Sequence, residues 1–558
     1  MSFNLVKNPW IKVVEKESGH ETKVSLEDAF RNSQKYLCLS GDMKFQDLAV
    51  MRFMLAILTT VYTRFDADDN PYEWIELDDD MRFVRLVDEY DEDDLFDTWE
   101  KLYSQGHFSD AVVEYLYKNI DAFDMSGERP FYQVTREEYD SFATKPISTG
   151  KGTVSVRQIN RRISESNNSP SLFSPRSAQK KDSFSVDELV RWIITYQNYT
   201  GTTDKTKINL KEKVSNSAGW LYKLSPVYAD GDSLFETLLL NLVLVNQIDR
   251  ENYVNQVPVW ENDSLDGYVE SIKRLVPPDN IAALYTTWSR LMHIEWEYDK
   301  PAIYVAGLPA LSNTNAFIEP MTIWRNDKDD VTPAARSIKS SNVNKAMWRD
   351  FGMYINVDGK EDRKEPGIVA WLRELKENDC IDRGKLLSLD SVSVISDGNA
   401  TSQAPAIEVF DDMNINASVC FDKGENRWPR RIEDAIATTQ NVADDYIKMV
   451  KKVGLIRFHG DNRQAVSFSR KYGLVFYDGL NAPFKNWLSG LKDSDDRDKK
   501  LNEWKKMLLQ TTLDNLNIFM KGATHSEIVG AIDENGNVRN IFTAVGLFKH
   551  KCSPCMRG

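Results

Sequence analysis

Gly424-Glu425-Asn426-Arg427-Trp428-Pro429-Arg430 is where the character of this chain changes. Beyond it, apolar residues recur at helical spacing almost without a break. Ile432, Ile436, Val442, Tyr446, Met449 and Val453 form one stripe, and Leu501, Trp504, Leu508, Leu516 and Phe519 form another. Such intervals put each set on a single helix face. The pattern predicts helices over 431–453, 461–491 and 495–521, with a shorter one over 540–549. Helices that are apolar on one side only must bury those sides on one another. Residues 426–558 therefore read as an all-α four-helix bundle.

Upstream the pattern is mixed. Residues 2–13 alternate around Pro9-Trp10 and read as short strands. Leu48, Met51, Leu55, Leu58 and Tyr62 mark a strong helix over 46–65, and weaker periodicity predicts helices over 91–105, 109–122, 186–199, 233–247, 279–291, 342–353 and 367–376. Between them lie strand-like runs such as Ile303-Tyr304-Val305-Ala306. Val392-Ser393-Val394-Ile395 and Ala406-Ile407-Glu408-Val409-Phe410 flank the tip NATSQAP and read as a β-hairpin. Strand and helix do not alternate in βαβ rhythm, so residues 1–425 read as an α+β domain. A division is expected anyway, because 558 residues exceed what one core holds, about 250–300.

Composition is that of a soluble globular chain. The start, MSFNLVKNPWIKV, lacks the apolar centre of a secretion signal, and no apolar run of membrane-spanning length stands out. Five Cys make no disulfide framework in a chain this long, which fits a reducing, cytoplasmic setting.

Charge is distributed unevenly. The formal net charge is −15, yet residues 66–100 hold sixteen Asp/Glu against two Arg, a local −14. The remainder is close to neutral and has basic islands. The clearest is KPISTGKGTVSVRQINRRISESNNSPSLFSPRSAQKK, residues 145–181, with eight Lys/Arg and one Glu. Arg157, Arg161, Arg162, Arg176, Lys180 and Lys181 bracket a Pro-broken polar loop that contains Asn167, Asn168 and Phe173. Cations around a loop with one large aromatic suit a phosphate backbone and an exposed base. A solvated charged face, with Phe173 as a core anchor, fits the same string. The acidic block would be repelled by nucleic acid, so it should lie away from any such path or meet a basic partner.

Catalytic motifs are missing from the string: there is no Walker A, GxSxG, HExxH or dinucleotide fingerprint. The six His residues give no metal-spaced pair, and His293 reads as a packing residue. Asp66-Ala67-Asp68-Asp69-Asn70 starts like a calcium loop, but Pro71 stands where Gly is needed and Leu77 where the bidentate Glu belongs. Cys552-Ser553-Pro554-Cys555 is an isolated CxxC. The expectation is a non-enzyme without metal or cofactor. Two rivals stay open: a metal-dependent nuclease using 66–100 and Cys552/Cys555, and an adaptor that binds only proteins.

Eight strings, in order, resemble one family. They are FNLVKNPWIKV, LSGDMKFQDLAVMRFMLAIL, RPFYQ, SNNSPSLFS, LVRWIITYQNYTG, TTWSRLMHIEW, IEPMTIWR and NKAMWRDF. The family is the large subunit (CasA) of the type I-E CRISPR Cascade surveillance complex. The resemblance implies an α+β domain followed by a four-helix bundle, and no catalysis. It implies binding of double-stranded target DNA and contact with the 5′ handle of the guide RNA. The implied protein partners are the other Cascade subunits and the helicase-nuclease effector, with no membrane. The subunit would detect the protospacer-adjacent motif (PAM) and begin strand separation, while base pairing to guide RNA reads the rest.

The resemblance also implies site residues. Lys300 aligns with a lysine finger that probes the minor groove, where A·T and T·A look alike; an exposed lysine before a strand is the plainer reading. Gly201, Thr202, Thr203 and Lys205 align with a glycine-rich loop. This chain keeps only one glycine there, and side chains on Thr202 and Thr203 obstruct close backbone approach. An ordinary polar linker is the alternative. Ser402, Gln403 and Ala404 align with a wedge at the hairpin tip, Gln403 entering beneath the first base pair beyond the motif. Asn167, Asn168 and Phe173 would meet the DNA or the RNA handle, with the bracketing cations on phosphates.

Overall fold

The computed structural model describes residues 3–150, 153–159, 183–201, 206–209, 218–245, 255–262, 264–273, 278–297, 300–311, 318–327, 330–335, 345–355, 357, 365–396, 405–424, 426–532 and 536–556. By compactness the chain divides into two units. The first comprises residues 1–343, 361–381 and 389–411. The second adds 344–360, 382–388 and 412–425 to the C-terminal segment 426–558.

The elements used below are strands β1 (Ile11–Glu15), β2 (Glu21–Val24) and β3 (Tyr36–Leu39), helices α1 (Lys44–Tyr62) and α2 (Glu92–Gln105), β4 (Thr153–Val154), α3 (Val186–Tyr199), β5 (Val227–Asp230), β6 (Arg290–Glu297), β7 (Lys300–Gly307), β8 (Leu386–Ser396) and β9 (Pro405–Asn416). Helices α4 (Trp428–Arg457), α5 (Asn462–Ser489), α6 (Arg497–Lys521) and α7 (Ile541–Met556) follow. The molecule is mixed α/β with a helical C-terminal region.

Three small sheets run β2-β1-β3, β4-β7-β6 and β9-β8-β5. Helix α1 is the core of the first unit, with Phe45 to Tyr62 buried almost throughout. By length and composition it is apolar enough to cross a membrane, which corrects the expectation that no such run exists. Here it is sheathed by protein: α3 lies along it, and the short helix Ile281–Thr286 packs on it through Tyr285 against Arg52.

Several helices are shorter than their periodicity. The 279–291 run stops at Thr286, and the strand β6 begins at Arg290. Gln197 holds that switch, accepting from the backbone N–H of both Ser289 and Arg290. Within the described part, the 233–247 run is helical only over Leu234–Leu240, because the Asn241 side chain turns back to pair with the N–H and C=O of Ala229. Residues 342–353 reduce, within the described part, to a 3-10 turn and one helical turn, Met347–Asp350 and Phe351–Tyr354.

In the second unit Pro429 stands in the first turn of α4, where its missing N–H costs nothing. Tyr446 on α4 stacks on Phe476 of α5 at 4.7 Å and meets Phe548 of α7 at 6.0 Å. Trp504 of α6 lies edge-on to Phe484 of α5 at 4.9 Å and donates its indole N–H to Thr439 of α4. A short helix, His525–Val529, and a two-residue-strand hairpin separate α6 from α7.

Candidate nucleic-acid interface

Antiparallel β6 and β7 form the scaffold, in register from Arg290↔Gly307 to Glu297↔Lys300. The sequence Lys300-Pro301-Ala302-Ile303-Tyr304-Val305 alternates exposed or half-buried with buried positions, so Pro301, Ile303 and Val305 face the core. Lys300 is the first residue of β7, exposed, opposite Glu297. His293 of β6 places Nδ1 2.8 Å from the Val134 carbonyl oxygen and so ties the Arg129–Gln133 turn to the sheet, as a packing residue should.

The far end of this hairpin anchors the 201–205 loop. The Gly201 carbonyl accepts from the buried Arg290 guanidinium, and the Thr206 carbonyl accepts from the Gly307 N–H at 2.9 Å. Both stems are thus fixed at the Arg290–Gly307 pair. Gly201 is buried, but an added Cβ would sit 3.4 Å from the Tyr222 hydroxyl, an ordinary contact, so glycine is not required there. Among the described residues the Thr200 and Thr206 hydroxyls at the stems are buried without partners. Thr202, Thr203 and Lys205 lie outside the described residues.

At about 3.3 Å per residue, the strand from Lys300 to Gly307 spans roughly 23 Å. Lys300 and the loop stems therefore stand at opposite ends of one strand, although the resemblance groups them in one site.

The basic segment enters on the same strand. Thr153 and Val154 of β4 pair with Tyr304 and Ile303, and the short helix Val156–Ile159 follows, held by buried Val156 and Ile159. Arg157 belongs to that helix; its side chain, together with Arg161, Arg162, Asn167, Asn168, Phe173, Arg176, Lys180 and Lys181, lies outside the described residues. The tip residues Ser402, Gln403 and Ala404 do so as well.

The stem of the tip is well defined. Glu408 of β9 accepts from the Phe45 N–H at 2.9 Å, and the Lys44 ammonium lies 5.7 Å from the Phe410 ring centre. The Phe45 ring packs edge-on against Tyr199 at 5.1 Å and Trp192 at 6.1 Å. Tyr199 ends α3, two residues before Gly201. The hairpin stem and the 201–205 stem therefore meet at the start of α1. Next to Phe45, Asp47 accepts from the Gly41 N–H at 2.6 Å. Burial pushes its carboxyl up to about 7; the Gly41 bond and Lys44 oppose this, and Glu408 and Asp42 add to it.

Sequence reasoning missed Phe45, Tyr199, Glu408 and Arg290. The one available signal was Arg290, a lone cation inside the apolar run Trp288-Ser289-Arg290-Leu291-Met292. Among the described residues no cluster of three or more His, Cys, Asp or Glu is arranged to hold a metal ion. The calcium-like loop closes on itself, Asp66 accepting from the N–H groups of Asp68 and Asn70.

These features define a class: a mixed α/β scaffold with a helical C-terminal region that holds several loops at fixed stems. The family model for CRISPR-associated protein Cse1 matches residues 4–515. The chain belongs to that family, the large subunit (CasA) of type I-E Cascade. The Thermobifida fusca Cse1 structure is similar at a TM-score of 0.76 with 20% identity, covering 100% of this chain and 97% of that one. The CasA structure from Thermus thermophilus is similar at 0.70 with 15% identity, covering 99% of each. A chain of a structure described as a CRISPR RNA-guided surveillance complex is similar at 0.66 with 14% identity, again covering 99% of each. No curated protein matches the sequence.

Proposed function

We propose that this chain is the non-catalytic subunit of an RNA-guided surveillance complex that recognises the PAM in duplex DNA from the minor groove and starts strand separation. Its working partners in this reading are the guide RNA 5′ handle, other Cascade subunits and a helicase-nuclease recruited after opening, all in the cytoplasm. Recognition belongs to residues 1–425, and α4 to α7 act as a four-helix bundle over 426–558. Family membership over residues 4–515 supports the assignment.

The observation that carries the mechanism is the shared anchor at Phe45. A wedge must be rigidly coupled to whatever holds the duplex, or unstacking, at a few kcal/mol per step, is not offset by contacts. Glu408 and Tyr199 fasten the hairpin stem and the 201–205 stem to the same turn of α1. Gln403, flanked by Ser402 and Ala404, then enters the stack while Gly201, Thr202, Thr203 and Lys205 hold the adjacent groove. Lys300, at the other end of β7, meets the duplex some distance away. The 157–181 cations and Asn167, Asn168 and Phe173 add backbone attraction that weakens with salt.

The test is target binding and opening by the reconstituted complex, read with a fluorescent base analogue beside the motif. Gln403→Ala should suppress opening more than binding. Lys300→Ala should weaken binding about tenfold and leave opening of bound DNA intact. Normal opening by Gln403→Ala, or cleavage of plasmid by the purified chain with Mg²⁺ or Mn²⁺, would refute the reading.

A further inference from the structure

Two of the strings quoted above, RPFYQ and TTWSRLMHIEW, converge on a cavity of about 460 Å³ in the first unit, outside the loops of the interface. The first supplies Arg129 to Gln133 on one wall, and the second supplies Thr286 and Trp288 on another. The short helix Arg136–Phe142 adds Phe142, and the turn Val259–Glu261 adds Trp260. The volume lies in the range of small-ligand sites. Phe142, Trp260 and Trp288 are half-buried, so part of this aromatic lining stays in contact with solvent.

The wall is held rigid. Tyr132 has a φ of +53°, in the left-handed region that bulky side chains rarely enter. The turn around it is fixed on both sides: the Phe131 N–H donates to the Asp124 carbonyl at 2.7 Å, and the Val134 N–H donates to the Met292 carbonyl at 2.8 Å. The Gln133 amide donates to the carbonyls of Met125 and Phe131. Trp288 stands between Tyr132 and Tyr268, with ring centres 6.0 and 5.4 Å away. Backbone strain fixed in this way is typical of ligand clamps. Rings already in place lose little freedom when a planar ligand stacks on them.

Among the described residues three charged side chains line the cavity, Glu128, Arg129 and Glu138. Glu138 already accepts from the N–H and hydroxyl of Thr135, whose helix it caps. Arg129 is exposed and donates one N–H to the Asn262 carbonyl at 2.7 Å. It has no carboxylate partner among the described residues, so its other donors are available. A simple anion would face Glu128, and a simple cation would face Arg129. A nucleotide answers the whole lining: the base stacks on the rings, its exocyclic amino group donates to Glu128, and its phosphate meets Arg129. We propose that this cavity takes one unstacked nucleotide of a single strand. Only the source of that strand rests on the RNA-guided reading above.

The probe is a single-stranded RNA hexamer of uridines with one 2-aminopurine, titrated with the full chain and read by the fluorescence of that base. Stacking should quench the emission. Removing the base from the probe, or Trp288→Leu, should each weaken binding about tenfold, and the two together by no more than about tenfold. Phe142→Leu repeats this cycle from another wall should Trp288→Leu fail to fold. Arg129→Gln, a surface change, should weaken binding about threefold and lower the salt slope by about one. A deoxyribose hexamer run in parallel tells RNA from DNA as the source, and coupling between base and Trp288 in neither would overturn the proposal. So would tighter displacement of the probe by N-acetyltryptophanamide than by guanosine monophosphate, which would assign the cavity to a protein side chain. The hexamer holds no duplex and no motif, so PAM reading and this cavity can fail independently.

Discussion

Arg52 and Arg64 lie fully buried in the first unit, each in a two-pronged pair with a buried glutamate, whereas ion pairs in the helical unit keep at least one partner in contact with solvent. Arg52 meets Glu319 at 2.9 and 2.7 Å, and Glu319 also accepts from Trp220 and the Met321 N–H. Arg64 meets Glu261 at 2.9 and 2.8 Å and donates to the carbonyls of Met81 and Gln256. These partners are 267 and 197 residues apart. The helical unit is instead held by ring contacts such as Trp348–Phe484 at 4.1 Å and Tyr446–Phe476 at 4.7 Å. Buried pairs add little net stability over an apolar substitute, but losing one member is severe. The first unit therefore uses charge to fix which distant segments meet, and the second uses apolar area to hold neighbours together.

The largest effect should come from breaking one buried pair. Glu319→Ala leaves Arg52 charged and unanswered in the core and should cost about 3–5 kcal/mol in urea unfolding. The double variant Glu319→Ala/Arg52→Met should recover much of that loss. A cost below about 1 kcal/mol for the single change would erase the contrast between the units.

Next comes pH. The Asp47 carboxyl is raised from 3.8 to about 7, so the folded state holds its proton where the unfolded chain has released it. Its contribution is complete below about pH 4 and is lost as pH rises through about 7. Over that window wild type should lose about 3–4 kcal/mol relative to Asp47→Asn, whose neutral amide can still accept from Gly41. Parallel stability–pH curves for the two proteins would show that Asp47 is already ionised in the fold.

Legibility from sequence follows the same divide. The stripe Ile432-Ile436-Val442-Tyr446-Met449-Val453 is local information, and α4 lies where it points, lengthened by Trp428 and Arg457 at its ends. Part of strand β7 was legible for the same reason, because Ile303-Tyr304-Val305-Ala306 is a local strand-like run. The run through 279–291 misled because helical spacing continues past Thr286, while the bonds of Ser289 and Arg290 to Gln197 decide the backbone there. The Phe45 anchor joins residues 45, 199 and 408, and no spacing rule brings those together. The residues alone put Lys300 just before a strand, and it is in fact that strand's first residue. That the 201–205 stems sit at the strand's other end could not be read from them.

Within the helical unit two changes sharpen the contrast from below. Thr439→Val keeps the shape of the side chain and removes the acceptor of the Trp504 indole N–H, a bond of 2.9 Å inside the core. One buried donor without a partner should cost about 1–3 kcal/mol, less than an orphaned arginine because a neutral dipole is cheaper to desolvate. Lys551→Ala removes an ion pair with Asp445 in which the lysine is 65% exposed. Water already solvates both charges, and ordering a long side chain opposes the attraction, so the expected loss is at most about 0.5 kcal/mol. Half-molar salt should remove even that, since screening then acts within about 4 Å. If Lys551→Ala instead rivalled Glu319→Ala, surface charge would be holding the helices together, and apolar packing would no longer explain the second unit.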